Sequence, residues 1–66
     1  MNITVNGTRW EVAEGASLSD VIHRLGALPE HVAVEYNGDI VESGELGSLV
    51  LKSSDRVEVV HFVGGG

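Results

Sequence analysis

The sequence predicts an α+β domain, one small mixed β-sheet with a single main helix packed on one face. Three observations predict it: a strand pair around an Asn-Gly dipeptide near the start, one apolar stripe of helical period after it, and a nearly continuous β-branched segment near the end.

In Ile3-Thr4-Val5, Asn6-Gly7 and Thr8 to Val12, β-branched and polar residues alternate on both sides of the dipeptide. Asn-Gly accepts the two positive φ angles of a type I′ turn, whose twist matches the flanking strands. A hairpin is expected, with Ile3 and Val5 on the same face as Trp10 and Val12. In Ser17-Leu18-Ser19-Asp20, Ser17 is placed to cap a helix, and Asp20 lies close to the positive helix end. Leu18, Val21, Ile22 and Leu25 then recur at i, i+3, i+4 and i+7, and Gly26 is placed to end the helix. That stripe must cover a sheet.

Val32 to Tyr36 alternates again and ends at a second turn signal, Asn37-Gly38, before the apolar pair Ile40-Val41. A second, shorter strand pair is expected there. From Glu42 to Gly47 the pattern dissolves into polar and glycine residues, read as loop or short helix. Leu49-Val50-Leu51 then returns as an apolar anchor before a polar turn at Ser53-Ser54-Asp55. Arg56 to Val63 reads as a central strand, covered by neighbours on both sides. With Val57, Val59, His61 and Val63 pointing one way, Glu58, Val60 and Phe62 point the other, which leaves an apolar patch opposite the helix. The order strand, strand, helix, strand, short strand, strand is that of the β-grasp. There the first and last strands lie side by side and parallel, because the chain crosses one face through the helix.

Bulk properties narrow the function classes. The 66 residues set one domain, expected over 1–63, with a flexible glycine tail over 64–66. A chain of this length buries roughly 60% of its unfolded surface, which argues against an enclosed active site and for a protein that is not itself an enzyme. The formal charge of −6 repels phosphate backbones, so nucleic acid is not an expected partner, and an acidic surface suits a basic protein surface. With no apolar run of the roughly 20 residues a spanning helix needs, no secretory start and no cysteine, the expectation is a cytoplasmic protein without membrane contact. His23, His31 and His61 are not spaced as a helical ligand pair, and no metal is expected. Trp10 reads as hairpin packing rather than a ligand platform.

The chain closes with Phe62-Val63-Gly64-Gly65-Gly66. Three residues without side chains, directly after the most strand-like segment, make a narrow, freely rotating backbone, which for an arbitrary protein is a frayed end but here can be extended into a tight tunnel where a terminal carboxylate meets an activated phosphate. Three blocks carry a resemblance over the whole chain. They are residues 1–7, Met-Asn-Ile-Thr-Val-Asn-Gly; residues 32–41, Val-Ala-Val-Glu-Tyr-Asn-Gly-Asp-Ile-Val; and Asp55 through the last strand to the three glycines. In these blocks the sequence resembles the ThiS proteins, the ubiquitin-like sulfur carriers of bacterial thiamin biosynthesis. It departs from them in the loop Glu42-Ser43-Gly44-Glu45-Leu46, where a basic residue and a tryptophan are frequent, and at Ser53-Ser54-Asp55, where Asp-Gly-Asp is usual.

The resemblance implies that an E1-like, ThiF-type adenylyltransferase uses ATP to adenylate the carboxylate of Gly66, with Gly64 and Gly65 lying in its tunnel. A persulfide donor then converts the adenylate to a thiocarboxylate, whose sulfur passes to a ThiG-type thiazole synthase. The carrier binds no cofactor of its own. Val60 and Phe62 are expected to dock the activating enzyme. Two other readings stand beside this one: the small-subunit carrier of molybdopterin synthase, and a non-reactive ubiquitin-like binding module.

Overall fold

The computed structural model describes residues 1–62. Five strands form one mixed sheet: β1 (Asn2–Val5), β2 (Thr8–Glu11), β3 (Val32–Tyr36), β4 (Asp39–Val41) and β5 (Arg56–His61). The helix α1 (Leu18–Arg24) crosses one face, and single 3-10 turns occupy Pro29–His31 and Ser43–Glu45. The spatial order is β2-β1-β5-β3-β4, with β5 in the middle. It runs parallel to β1, through Thr4 opposite Arg56 and Val5 opposite Val57, and antiparallel to β3. These are the β-grasp order and the parallel first and last strands expected from the sequence.

The first hairpin follows its turn chemistry. Asn6 and Gly7 both have positive φ, at 49° and 81°, so a two-residue turn sets Ile3 opposite Trp10 and Val5 opposite Thr8. Val12 lies just past β2, its N–H donating to the Met1 carbonyl at 2.9 Å. Asn37 and Gly38 repeat the device between β3 and β4.

At the start of α1, Ser17 Oγ accepts from the Asp20 N–H at 3.3 Å, while the Asp20 carboxylate accepts from the Ser17 N–H at 2.8 Å. This reciprocal pair satisfies two donors that a helix start leaves open. At the other end Gly26 takes φ 74°, its N–H donates to the His23 carbonyl, and the Ala27 N–H reaches back to Ile22, closing the helix.

The core joins Ile3 and Val5 of β1, Leu18, Val21 and Ile22 of α1, Val32 and Val34 of β3, and Val57 and Val59 of β5. Leu46 and Leu51 complete it from the long connection. The apolar anchor expected over residues 49–51 is therefore redistributed. Leu51 is buried and Leu49 half-buried, but Val50 is exposed, and Leu46, inside the stretch that read as featureless, takes a core place. The 3-10 turn at Ser43–Glu45 swings Leu46 inward, and the Leu46 carbonyl accepts from the Ser19 N–H of α1.

Asn6 does more than turn the chain. The β1–β5 ladder ends where the Asn6 N–H donates to the Val57 carbonyl, and the Asn6 side-chain oxygen then accepts from the Val59 N–H at 2.7 Å, adding one rung. Replacing Asn6 by Ala is expected to cost about 2 kcal/mol, roughly half from the left-handed backbone and half from the orphaned N–H. Asn6→Asp, which keeps both the conformation and an acceptor oxygen, should lose far less. Denaturant titration of the two variants checks this, and equal losses would mean that the added rung contributes nothing.

Candidate functional site

Two features meet on β5, the strand that leads to the glycines. The first is its exposed side. Alternation holds along the strand: Val57 and Val59 are buried under α1, while Val60 and Phe62 are 61% and 55% exposed on the opposite face. The Phe62 N–H donates to the His31 carbonyl at 2.9 Å, so the ladder with β3 continues through this residue. Ile40 of β4, 82% exposed, belongs to the same face. It went unassigned in the sequence, although a signal was present: with Val41 turned toward the core, its neighbour in an extended strand must turn away. The remaining predicted site residues, Gly64, Gly65 and Gly66, lie outside the described residues, as does the expected boundary between domain and tail.

The second feature is a polar cluster that fixes where β5 starts. Asp55, in the segment that read as an ordinary polar turn, is only 4% exposed. Its carboxylate accepts from the Tyr36 hydroxyl, from the Asn37 side-chain amide at 3.1 Å and from the Lys52 N–H at 2.7 Å. Asn37 is held in turn, because its side-chain oxygen accepts from the Arg56 N–H at 2.8 Å. Lys52 Nζ donates to the Tyr36 hydroxyl at 3.0 Å. Burial pushes the Asp55 carboxyl up. The hydrogen bonds from Tyr36, Lys52 and Asn37 and the Lys52 charge outweigh it and hold the carboxyl below its ordinary 3.8. The Lys52 ammonium is raised in return, by its bond to Tyr36 and then by the Asp55 charge. Sequence reasoning missed this cluster because nothing in a Ser-Ser-Asp turn indicates burial.

Trp10 is half-buried against the core, with the Arg24 guanidinium 4.3 Å from its ring centre and donating to the Glu11 carbonyl at 2.8 Å. It packs the hairpin onto α1, as expected. Among the described residues no group of three or more His, Asp or Glu side chains is placed to hold a metal ion, and no helix is long and apolar enough to cross a membrane.

A helix on one face of a five-stranded mixed sheet, parallel outermost chain segments at its centre and an exposed apolar face on the last strand define a ubiquitin-like β-grasp domain. The family model described as ThiS family matches residues 3–66, and the chain belongs to that family. The crystal structure of the thiamine biosynthesis protein ThiS from Geobacter metallireducens superimposes with a TM-score of 0.82 at 38% identity, each chain covered over 100% of its length. Two proteins named thiazole synthase are also similar over all 66 residues, one from Magnetococcus marinus at 44% identity and one from Paramagnetospirillum magneticum at 29%. The chain spans 20% of the length of each.

Proposed function

We propose that this protein is a sulfur carrier of thiamin biosynthesis, a co-substrate rather than an enzyme, acting through the carboxylate of Gly66. The observation that carries the reading is the family match, which runs through the glycines at residues 64–66. The chemistry is consistent with a chain that supplies no catalytic side chain. A carboxylate is a poor electrophile, so an E1-like adenylyltransferase converts it with ATP to an acyl adenylate, releasing pyrophosphate. Persulfide sulfur then displaces AMP to give an acyl disulfide, and a thiol reductant cleaves its S–S bond, releasing the thiocarboxylate while the thiol ends in a disulfide. The thiazole synthase relatives contain a segment similar to this chain in one polypeptide with their remaining length, which supports a thiazole synthase as the acceptor of the sulfur.

The test is the intact mass of the native protein after incubation with its activating enzyme, ATP, a persulfide source and a thiol reductant. Exchange of one oxygen for sulfur is expected. No exchange, with an enzyme shown active on another carrier, overturns the reading. The same mass, taken before incubation, reports whether Gly66 bears a free carboxylate.

Val60 and Phe62 dock the activating enzyme in this reading, because they are large, apolar and exposed on the strand that leads to the reactive end. Val60→Asp and Phe62→Asp should each raise KM for the carrier by about tenfold, the effect of losing roughly 1.4 kcal/mol of buried apolar contact. The thermal midpoint should stay within a few degrees of the parent, and an unchanged KM would remove the face from the docking role.

A further inference from the structure

The open face of the sheet carries a pair of like charges in its centre. Glu35 of β3 and Glu58 of β5 are direct cross-strand partners, and both are exposed on the side away from α1. Like charges placed directly opposite destabilise a sheet. Among the described residues neither carboxylate has an ion-pair partner, although Arg56 stands on the same face two residues before Glu58. Apolar side chains frame the pair. Ile40 is the partner of Glu35 on its other side, Val60 lies about 7 Å further along β5, and Phe62 follows it.

From this arrangement we infer that the Glu35 and Glu58 carboxylates receive an arginine that a partner protein presents among apolar side chains. A guanidinium has five donors in a planar fork and engages two carboxylates at once, and it is more weakly hydrated than an ammonium, so it enters an apolar frame at lower cost. Charge selects this occupant over others. Anionic lipid and nucleic acid are repelled by the pair and by the net −6 of the chain. A second copy laid face to face answers the carboxylates only through Arg9 and Arg56, which share this face, and sedimentation tells that occupant apart. Repulsion left in the free carrier is relieved when the arginine binds, which adds to the affinity of the complex.

The inference rests on the carrier reading only for the partner used to test it, the activating enzyme. Glu35→Lys combined with Glu58→Lys is expected to lower kcat/KM for the carrier about thirtyfold, and Glu35→Gln with Glu58→Gln about tenfold with a flatter dependence on salt. The glutamine pair should also raise the thermal midpoint of the free protein, since it removes the repulsion. An unchanged kcat/KM in both double variants, where the wild-type chain does acquire sulfur, overturns the inference and leaves the carrier reading intact, and so does a lowered midpoint for the glutamine pair. A wild-type dimer in sedimentation that the lysine pair abolishes overturns it in favour of self-association. If the wild-type chain acquires no sulfur, the carrier reading fails. The inference is then read on a capped Leu-Arg-Leu peptide, for which amide shifts are expected at Glu35, Glu58 and Val60. Shifts spread evenly over the acidic surface would overturn it.

Discussion

Removing Gly66 is expected to abolish sulfur acquisition while leaving the fold untouched. The shortened chain still ends in a glycine carboxylate, so chemical type is conserved and only reach is lost. One extended residue spans about 3.5 Å, and acyl transfer requires the reacting atoms at roughly 3–3.5 Å. A carboxylate held back by a full residue, with the sheet already seated on the enzyme, therefore cannot approach the α-phosphate of ATP. Among the described residues every core side chain lies between Ile3 and Val59, so the thermal midpoint of the variant should equal that of the parent. Intact mass after incubation reads the first expectation and thermal unfolding the second. Sulfur acquisition by the shortened chain would show that the reactive carbonyl is not that of Gly66. Retention of all biological function without acquisition would favour the non-reactive binding module.

The largest effect on stability is expected at Asp55. Asp55→Ala leaves the Tyr36 hydroxyl, the Asn37 amide and the Lys52 N–H without their acceptor at a site only 4% exposed, a loss of about 3 kcal/mol. A domain of this size rarely holds more than about 3–5 kcal/mol in total, so the variant should be largely unfolded at 37 °C. Asp55→Asn is not conservative either. One carboxylate oxygen accepts from Tyr36 and Lys52 and the other from Asn37, so an amide at position 55 must turn its donors toward one of these groups. Asn37 has no freedom to flip in response, because its oxygen is committed to the Arg56 N–H. About 2 kcal/mol should be lost.

The same carboxylate makes stability pH-dependent with a definite sign. Its folded pKa lies below the ordinary value of 3.8. The unfolded chain therefore binds the proton first as pH falls, and the contribution is complete above 3.8 and lost as pH falls through the folded value. Denaturant titrations at neutral pH and across the acid range should show a fall in stability that Asp55→Asn flattens. An equally steep fall in that variant would assign the acid sensitivity to other carboxylates.

Much of the fold is legible in the sequence because its determinants are local. The Asn-Gly dipeptides set their own hairpins through φ angles of 49° and 50° at Asn6 and Asn37. The stripe from Leu18 to Ile22 and the alternation of Val57 and Val59 report burial by their period alone. Strand parity likewise placed Val60 and Phe62 outside before any neighbour was known. The β-grasp order then follows from handedness and short connections. The glycine run, too, is a linear feature, and it pointed to the ThiS family without a three-dimensional argument.

Tertiary structure decided what depends on residues distant in the chain. Asn6 reaches Val59 across 53 positions, and Tyr36 and Asn37 meet Asp55 across 19 and 18. No period or propensity registers such pairs, so Asp55 read as a solvated turn residue and Asn6 and Asn37 as turn formers alone. Leu46 escaped for the same reason, since a single apolar residue among glycines and glutamates has no pattern and gains its core place only when the 3-10 turn at Ser43–Glu45 lays it against α1. The opposition of Glu35 to Glu58 is likewise a matter of register between β3 and β5, which is set by the buried Val34 and Val59 on the other face. Sequence period determined which way each side chain of this protein points, and only the folded sheet decided which distant residues meet, because pairing depends on a register that no local segment encodes.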